Sequence, residues 1–143
     1  MSTTRHTIDI DAPPEKVFER LVDHEAMARW PGISRCILVR QGSPKNGVGA
    51  VRRVTAMGMT LEEEVTEYDP PRAYVYKIIK GLPVRHRGEV KVVPRGAGST
   101  IEWEVELTAR IPLMAPITVA ALGWGLPRAL RYFKAEVERG LSG

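Results

Sequence analysis

The side chains best suited to chemistry lie on strand-like segments in the middle of the chain. If Met57-Gly58 forms a two-residue hairpin turn, Arg52 lies directly opposite Glu63 on the neighbouring strand. An arginine can steady a ligand oxyanion, and a carboxylate beside it can move a proton. The spacing therefore predicts a cross-strand ion pair on an otherwise apolar face of a sheet.

The same register, carried through the next hairpins, adds aromatic and imidazole groups to this face. It places Tyr74 and Tyr76 there, followed by His86, while Trp103 joins them from the last predicted strand. A neutral imidazole can act as a general base or bind a ligand carbonyl, although a lone histidine is more often a hydrogen-bonded core residue. The aromatic rings could stack on a ligand or simply fill the core.

A charged pair on such a face has two interpretations. Desolvating each ion costs several kcal/mol, so stability alone is a poor reason to keep Arg52 and Glu63 there. The pair could belong to the wall of a partly polar small-molecule pocket. Alternatively, it could lie at a hydrated rim, where an exposed ion pair contributes only about 0–1 kcal/mol.

The elements that must position these groups are short strands and two helical regions. Residues 5–11 alternate between polar and apolar types, Pro13-Pro14 favours a helix start, and Asp23 can cap a second short helix. Strand patterns separated by turn signals then continue from Ser34 to Ala109. This order predicts an α+β fold, β-α-α-β-β-β-β-β-β-α, with one curved antiparallel sheet of about seven strands.

The C-terminal segment is the helix that the sheet must enclose. Residues 111–127 carry no charge, and an apolar helical stripe continues from them through Leu126, Leu130, Phe133, Val137 and Leu141. Prolines and glycines interrupt the uncharged run, which makes it a poor membrane span. Pro127, with Gly123 four residues earlier, predicts a kink or a break, since an interior proline costs about 3 kcal/mol. Trp124 lies in this cluster and is a further candidate for ligand contact.

Composition bounds the remaining possibilities. The chain has 143 residues, 43% hydrophobic and 27% charged, which is typical of one soluble globular domain spanning residues 1–143. The single cysteine, Cys36, and an N-terminus without an apolar signal segment favour a cytoplasmic protein. The net charge is +4, but basic and acidic residues alternate, so nucleic acid is not an expected partner. The basic stripe of Arg128, Arg131 and Lys134 is typical of a solvated helix face.

Motifs for several kinds of chemistry are missing. His24-Glu25 lacks the second histidine of a zinc-binding helix, so neither a metal nor another cofactor is expected. Gly96 to Thr100 reads as a hairpin loop rather than a nucleophile turn. No neighbour in sequence lowers the pKa of Cys36, which favours a buried thiol.

Several weak features occur in an order that resembles a known superfamily. They are the opening strand into Ala12 to Phe18, the helices ending at Pro31, Gly47-x-Gly49-x-x-Arg52, Glu63-Glu-Val65, Asp69 to Arg72 and the final helix. In this order the chain resembles the START-like (SRPBCC) superfamily with its helix-grip fold, in the polyketide cyclase/dehydrase branch. The resemblance implies a cavity between sheet and final helix for a lipid-, polyketide- or quinone-like molecule. Because catalytic residues are not shared across the branches, none is transferred.

The sequence is compatible with three functions, of which a protein-interaction module is the third. The first is binding or transport of a hydrophobic or amphipathic small molecule by a monomer or homodimer, with transient membrane contact. The alternative is a cyclase, dehydratase or isomerase with His86 or Glu63 as acid/base. The candidate ligand-binding residues are Arg52, Glu63, Tyr74, Tyr76, His86, Trp103 and Trp124.

Overall fold

The computed structural model describes residues 1–142, without the side chains of the last two of these, so the predicted packing of Leu141 lies outside the described residues. The described residues form seven strands and two α-helices, with a 3₁₀ helix at His24–Arg29. The elements are β1 (Ser2–Ile10), α1 (Pro14–Leu21), β2 (Ile33–Arg40), β3 (Val51–Ala56), β4 (Met59–Asp69), β5 (Ala73–Lys80), β6 (Val84–Arg95), β7 (Gly98–Ala109) and α2 (Met114–Ser142). The predicted α+β class and order of elements are confirmed.

The strands form one antiparallel sheet in the order β1-β7-β6-β5-β4-β3-β2. The predicted register is confirmed where it matters most, because Arg52 pairs with Glu63 and Val65 pairs with Tyr76. In the last hairpin, Val90 pairs with Trp103. Since facing residues share a side of the sheet, the polar candidates lie on the inner face together.

The β3–β4 turn fixes this register. Met57 and Gly58 both have positive φ angles, 49° and 78°, as a two-residue turn of type I′ requires. Glycine adopts this conformation without strain, whereas methionine does so uncommonly. The turn leaves the Met57 side chain exposed at the end of the hairpin.

The short helices differ from expectation in one detail. Pro14 occupies the first position of α1, where a missing N–H leaves no helix hydrogen bond unmade. Asp23 stands at the N-cap of the 3₁₀ helix, but its side chain makes no capping hydrogen bond. The 3₁₀ helix is instead held by burial of His24 and Met27.

Helix α2 runs without interruption through Pro127, so the expectation of a break is wrong. Gly123 is exposed, and the carbonyl freed by the proline can therefore be hydrated. Arg128 donates a side-chain hydrogen bond to the carbonyl of Trp124 in the same turn. Burial of Leu126 and Leu130 on either side of the proline offsets its cost.

The core lies between the concave sheet and the inner face of α2. Phe133 packs edge-on against Trp30, which packs in turn against Trp103 of β7. Lys134 fastens the C-terminal half of the helix to β1 by donating to the carbonyl of Asp9. In the part of the chain that is described, no helix is long and apolar enough to cross a membrane.

Candidate ligand-binding cavity

A cavity of about 160 Å³ lies between the inner face of the sheet and the N-terminal half of α2. Its polar groups come from β3, β4, β5 and β7, and its apolar groups come from the 3₁₀ helix, the β3–β4 hairpin and α2. The residues that line the cavity include Arg52, Met57, Glu63, Tyr76, Trp103 and Trp124.

Arg52 is the most buried charged residue in this wall. The residue is only 1% exposed, and its Nε donates to Glu63 Oε1 at 2.8 Å. The hydrated-rim interpretation of the pair is therefore wrong, and the pocket-wall interpretation fits. A guanidinium held in this way needs its remaining hydrogens satisfied, because unpaired buried donors are costly.

His24 supplies one of those partners. Its Nε2 lies 3.0 Å from the carbonyl oxygen of Asn46, which can only accept, so Nε2 carries the ring proton. Nδ1 is then an acceptor, and Arg52 Nη1 donates to it at 3.1 Å. Burial and the charge of Arg52 lower the pKa of His24 to about 3, which keeps the imidazole neutral in this role.

The second terminal nitrogen of Arg52 faces the cavity. Nε and Nη1 take all the protein partners of the guanidinium, with Met27 Sδ at 3.1 Å and the Tyr74 oxygen at 3.4 Å as further acceptors of Nη1. Within residues 1–142, every fully buried side-chain nitrogen or oxygen has a hydrogen-bond partner. Nη2 has no partner among the described residues, so it must touch open space, and the cavity is the space that Arg52 lines.

Tyr76 and Trp103 form the floor beside the guanidinium. Arg52 lies 4.6 Å from the centre of the Tyr76 ring, and Trp103 Nε1 donates to the Tyr76 oxygen at 3.0 Å. Burial raises the pKa of Tyr76, so the phenol keeps its proton at neutral pH and can donate it. Gly88 makes room for this ring, since a Cβ there would overlap the Tyr76 phenol.

Replacing Gly88 with alanine should displace the Tyr76 ring and narrow the cavity. Overpacking of this kind costs about 1–3 kcal/mol of unfolding free energy. Urea denaturation measures that loss. Gly123→Ala is the matched control, because no described residue outside the adjoining helix backbone lies within 4 Å of a Cβ at Gly123. Equal stability of the Gly88→Ala variant and the wild type would contradict this packing.

The other candidates are placed in different ways. Tyr74 is 1% exposed and lies behind Arg52, outside the cavity wall. His86 also lies outside the wall, where its Nδ1 accepts the backbone N–H of Ile78. Burial lowers the pKa of His86. Trp124 lines the mouth of the cavity and is 56% exposed. Ligand contact by the candidate residues stays a prediction.

His24 was not predicted as a site residue, because in the sequence it forms only part of an incomplete metal-binding motif. A signal was present, since His24 and Met27 are three residues apart and share one side of a helix. An apolar face that buries Met27 therefore buries the imidazole too. Cys36 is buried as predicted and donates to the His24 carbonyl at 2.9 Å.

The low pKa of His24 predicts a loss of stability in acid. The unfolded chain takes up this proton near the ordinary value of 6.5, whereas the folded chain does so only near 3. The contribution of neutral His24 to the free energy of unfolding is therefore fully present above pH 6.5. It falls as the pH drops below that value, by up to about 1.4 kcal/mol per pH unit. His24→Gln keeps an acceptor and a donor without titrating. Denaturation between pH 7 and 4 should show a shallower decline for His24→Gln, and identical slopes would contradict the prediction.

Comparison with known proteins agrees with this architecture. The solved structures that resemble the chain include an aromatase/cyclase from a Streptomyces species, with a TM-score of 0.85 at 19% identity over 98% of this chain and 95% of that one. A START superfamily protein from Mycobacterium smegmatis has a TM-score of 0.80 at 16% identity, covering 96% and 97% of the two chains. A Thermobifida fusca protein has a TM-score of 0.79 at 26% identity, covering 97% and 95%.

Among curated proteins none matches the chain. A family profile described as "Polyketide cyclase / dehydrase and lipid transport" matches residues 1–141, almost the full length. The predicted helix-grip fold is confirmed by these structures, and the predicted resemblance to the polyketide cyclase/dehydrase branch is confirmed by the family profile. The chain belongs to the polyketide cyclase/dehydrase and lipid transport family.

Proposed function

We propose that the protein binds a hydrophobic or amphipathic small molecule that carries a hydrogen-bond acceptor, in the cavity between the sheet and α2. The observation that carries the proposal is Nη2 of Arg52, a buried cationic donor that faces apolar space without a protein partner among the described residues. A ligand carbonyl, phenolate or carboxylate would satisfy it. Among lipid-, polyketide- and quinone-like molecules, those with such an oxygen next to a ring or chain fit best.

The apolar lining and the size of the cavity support the same class of ligand. Sites for small molecules combine mostly apolar walls with a few placed polar groups. Here Arg52, Glu63 and Tyr76 are set among apolar side chains. An apolar cavity of roughly 150 Å³ holds a benzene ring, so about 160 Å³ accommodates one ring with a short substituent. A longer ligand would extend through the mouth beside Trp124.

A pair of probes of equal shape tests the acceptor requirement. Acetophenone carries a carbonyl where α-methylstyrene carries a CH₂ group, so only acetophenone can accept from Nη2. A hydrogen bond from a charged donor contributes about 1.5–3 kcal/mol, which predicts at least about tenfold tighter binding of acetophenone. Titration followed by protein NMR or calorimetry measures both dissociation constants.

A variant without the ion pair is the control for this comparison. Arg52→Met combined with Glu63→Leu removes the donor while leaving no unpaired carboxylate in the wall. The preference for acetophenone should disappear in this double variant. Equal affinity of the two probes for the wild type would show that Nη2 does not select the ligand.

The position of Glu63 favours a second candidate function. Its Oε2 has no protein partner in the described part of the chain, and 13% of the side chain is exposed. A carboxylate there could take a proton α to a carbonyl bound at Arg52, as a cyclase, dehydratase or isomerase requires. In this catalytic alternative, Glu63 is the acid/base group. His86 is left out because it lies beyond the cavity wall.

Glu63→Gln separates the two functions. Incubation with aromatic polyketone substrates, followed by mass spectrometry, would detect dehydration as a loss of water. The catalytic alternative predicts turnover by the wild type and a loss of about 100-fold or more in Glu63→Gln, with binding of acetophenone retained. Wild-type protein that binds these polyketones without converting them would leave binding as the function.

A further inference from the structure

The first turns of α2 present an apolar stripe to solvent. Leu113 is 69% exposed, Ile117 is 64% exposed and Trp124 is 56% exposed. Within α2, Ile117 and Trp124 are seven residues apart and therefore lie on the same side of the helix, and Leu113 precedes its first turn. Large apolar side chains grouped in this way, rather than scattered, mark an interaction surface.

Two further exposed side chains extend the stripe around the mouth of the cavity. Met57, at the tip of the β3–β4 hairpin, is 58% exposed and lines the cavity together with Trp124. Ile111 is 50% exposed, precedes Leu113 by two residues and lines a second groove together with Ile79. We name Met57, Ile111, Leu113, Ile117 and Trp124 the mouth surface.

The charged residues in the groove beside Ile111 are positive, and an arginine also lies against Trp124. Arg110 and Arg85 line the groove that contains Ile111, and no acidic residue lines that groove within the described chain. Arg128 continues the outer face of α2, and its guanidinium lies 4.1 Å from the centre of the Trp124 ring. Residues 111–127 carry no charge, so the apolar part of this surface meets arginines where it ends.

We propose that the mouth surface docks on an anionic lipid bilayer, with the cavity opening toward the acyl chains. Apolar side chains of an interfacial helix enter a bilayer by about 5–10 Å, while arginines pair with lipid phosphates. Tryptophan prefers the boundary between the acyl chains and the headgroups. Trp124 suits this position, because its ring lies beside the Arg128 guanidinium at the end of the apolar stripe. A protein partner would need an apolar patch with acidic groups placed to match the arginines. An anionic bilayer offers apolar acyl chains and negative phosphates over its whole surface.

This inference goes beyond the proposed function, because docking can be measured without any cavity ligand. Vesicles made of phosphatidylcholine with about 30% of the anionic lipid phosphatidylglycerol should carry the protein with them in a flotation assay. Vesicles of phosphatidylcholine alone should recover much less. Raising the salt concentration should weaken binding to the charged vesicles, because screening acts on the arginine contacts.

Two single variants locate the surface on the chain. Leu113→Glu and Ile117→Glu place a carboxylate at its centre without touching the cavity wall, and each should reduce vesicle binding at least about tenfold. Val93→Glu is the matched control, because Val93 is 39% exposed on β6 and lies outside the mouth surface. This control should bind vesicles like the wild type.

Three outcomes would overturn the docking proposal. They are absence of binding to charged vesicles, equal loss in Val93→Glu and Ile117→Glu, and a dimer in solution that Ile117→Glu dissociates while vesicles are not bound. The last result would assign the mouth surface to a second copy of the chain. Binding of acetophenone in vesicle-free buffer tests the cavity separately, so failure of docking leaves the proposed function standing.

Discussion

Replacing Arg52 with methionine should lower the free energy of unfolding by about 3–5 kcal/mol, because it removes one partner of a buried ion pair. Glu63 would be left without its cation in the cavity wall, and Nδ1 of His24 would lose its donor. Chemical denaturation followed by circular dichroism measures the loss. The same variant should lose its preference for ligands with an acceptor oxygen.

The double variant Arg52→Met with Glu63→Leu separates stability from binding. Replacing a whole buried ion pair with apolar side chains is often neutral or stabilising, so the double variant should recover part of the stability lost in the single one. It should not recover the ligand preference, since Nη2 is still missing. A double variant no more stable than Arg52→Met would show that the unpaired Glu63 is not the source of the loss.

Replacing Trp103 with alanine should cost about 3–5 kcal/mol, the usual range for truncating a large buried aromatic. Trp103 is 3% exposed and packs edge-on against Trp30, and its indole donates to Tyr76. The change removes the contact between the sheet and Trp30, which follows the 3₁₀ helix, and leaves the Tyr76 oxygen without its donor. Urea denaturation measures the difference.

Trp124→Ala is the matched control for this loss. The substitution is chemically the same, but Trp124 is 56% exposed, so the expected cost is no more than about 1 kcal/mol. Similar costs at the two positions would contradict the assignment of Trp103 to the core and of Trp124 to the mouth.

The sheet was predictable because hairpin parity is a local property. One two-residue turn at Met57-Gly58 decides which residues of β3 and β4 face inward, and a one-residue slip would have exposed the whole apolar set. The ion pair of Arg52 and Glu63 follows from that parity alone. The apolar stripe of α2 then predicted which element closes the cavity.

The surroundings of Arg52 were not predictable in the same way. His24 reaches the guanidinium from a 3₁₀ helix 28 residues earlier in the chain, and strand parity says nothing about that approach. A kink or a break was expected at Pro127, and the break did not occur, because tertiary packing of α2 on the sheet outweighed the local cost of the proline. Local rules therefore predicted the wall of the cavity, whereas contacts between distant elements decided which nitrogen of Arg52 faces it.

Native mass spectrometry of the protein purified from its own host tests the central claim most directly. We expect a non-covalent adduct whose released molecule is largely apolar and contains a carbonyl, phenolate or carboxylate oxygen. We further expect that the Arg52→Met, Glu63→Leu double variant, folded and prepared in the same way, carries no such adduct. Wild-type protein with only its own mass, or an equal adduct on the double variant, would contradict the claim that Arg52 holds a ligand in the cavity.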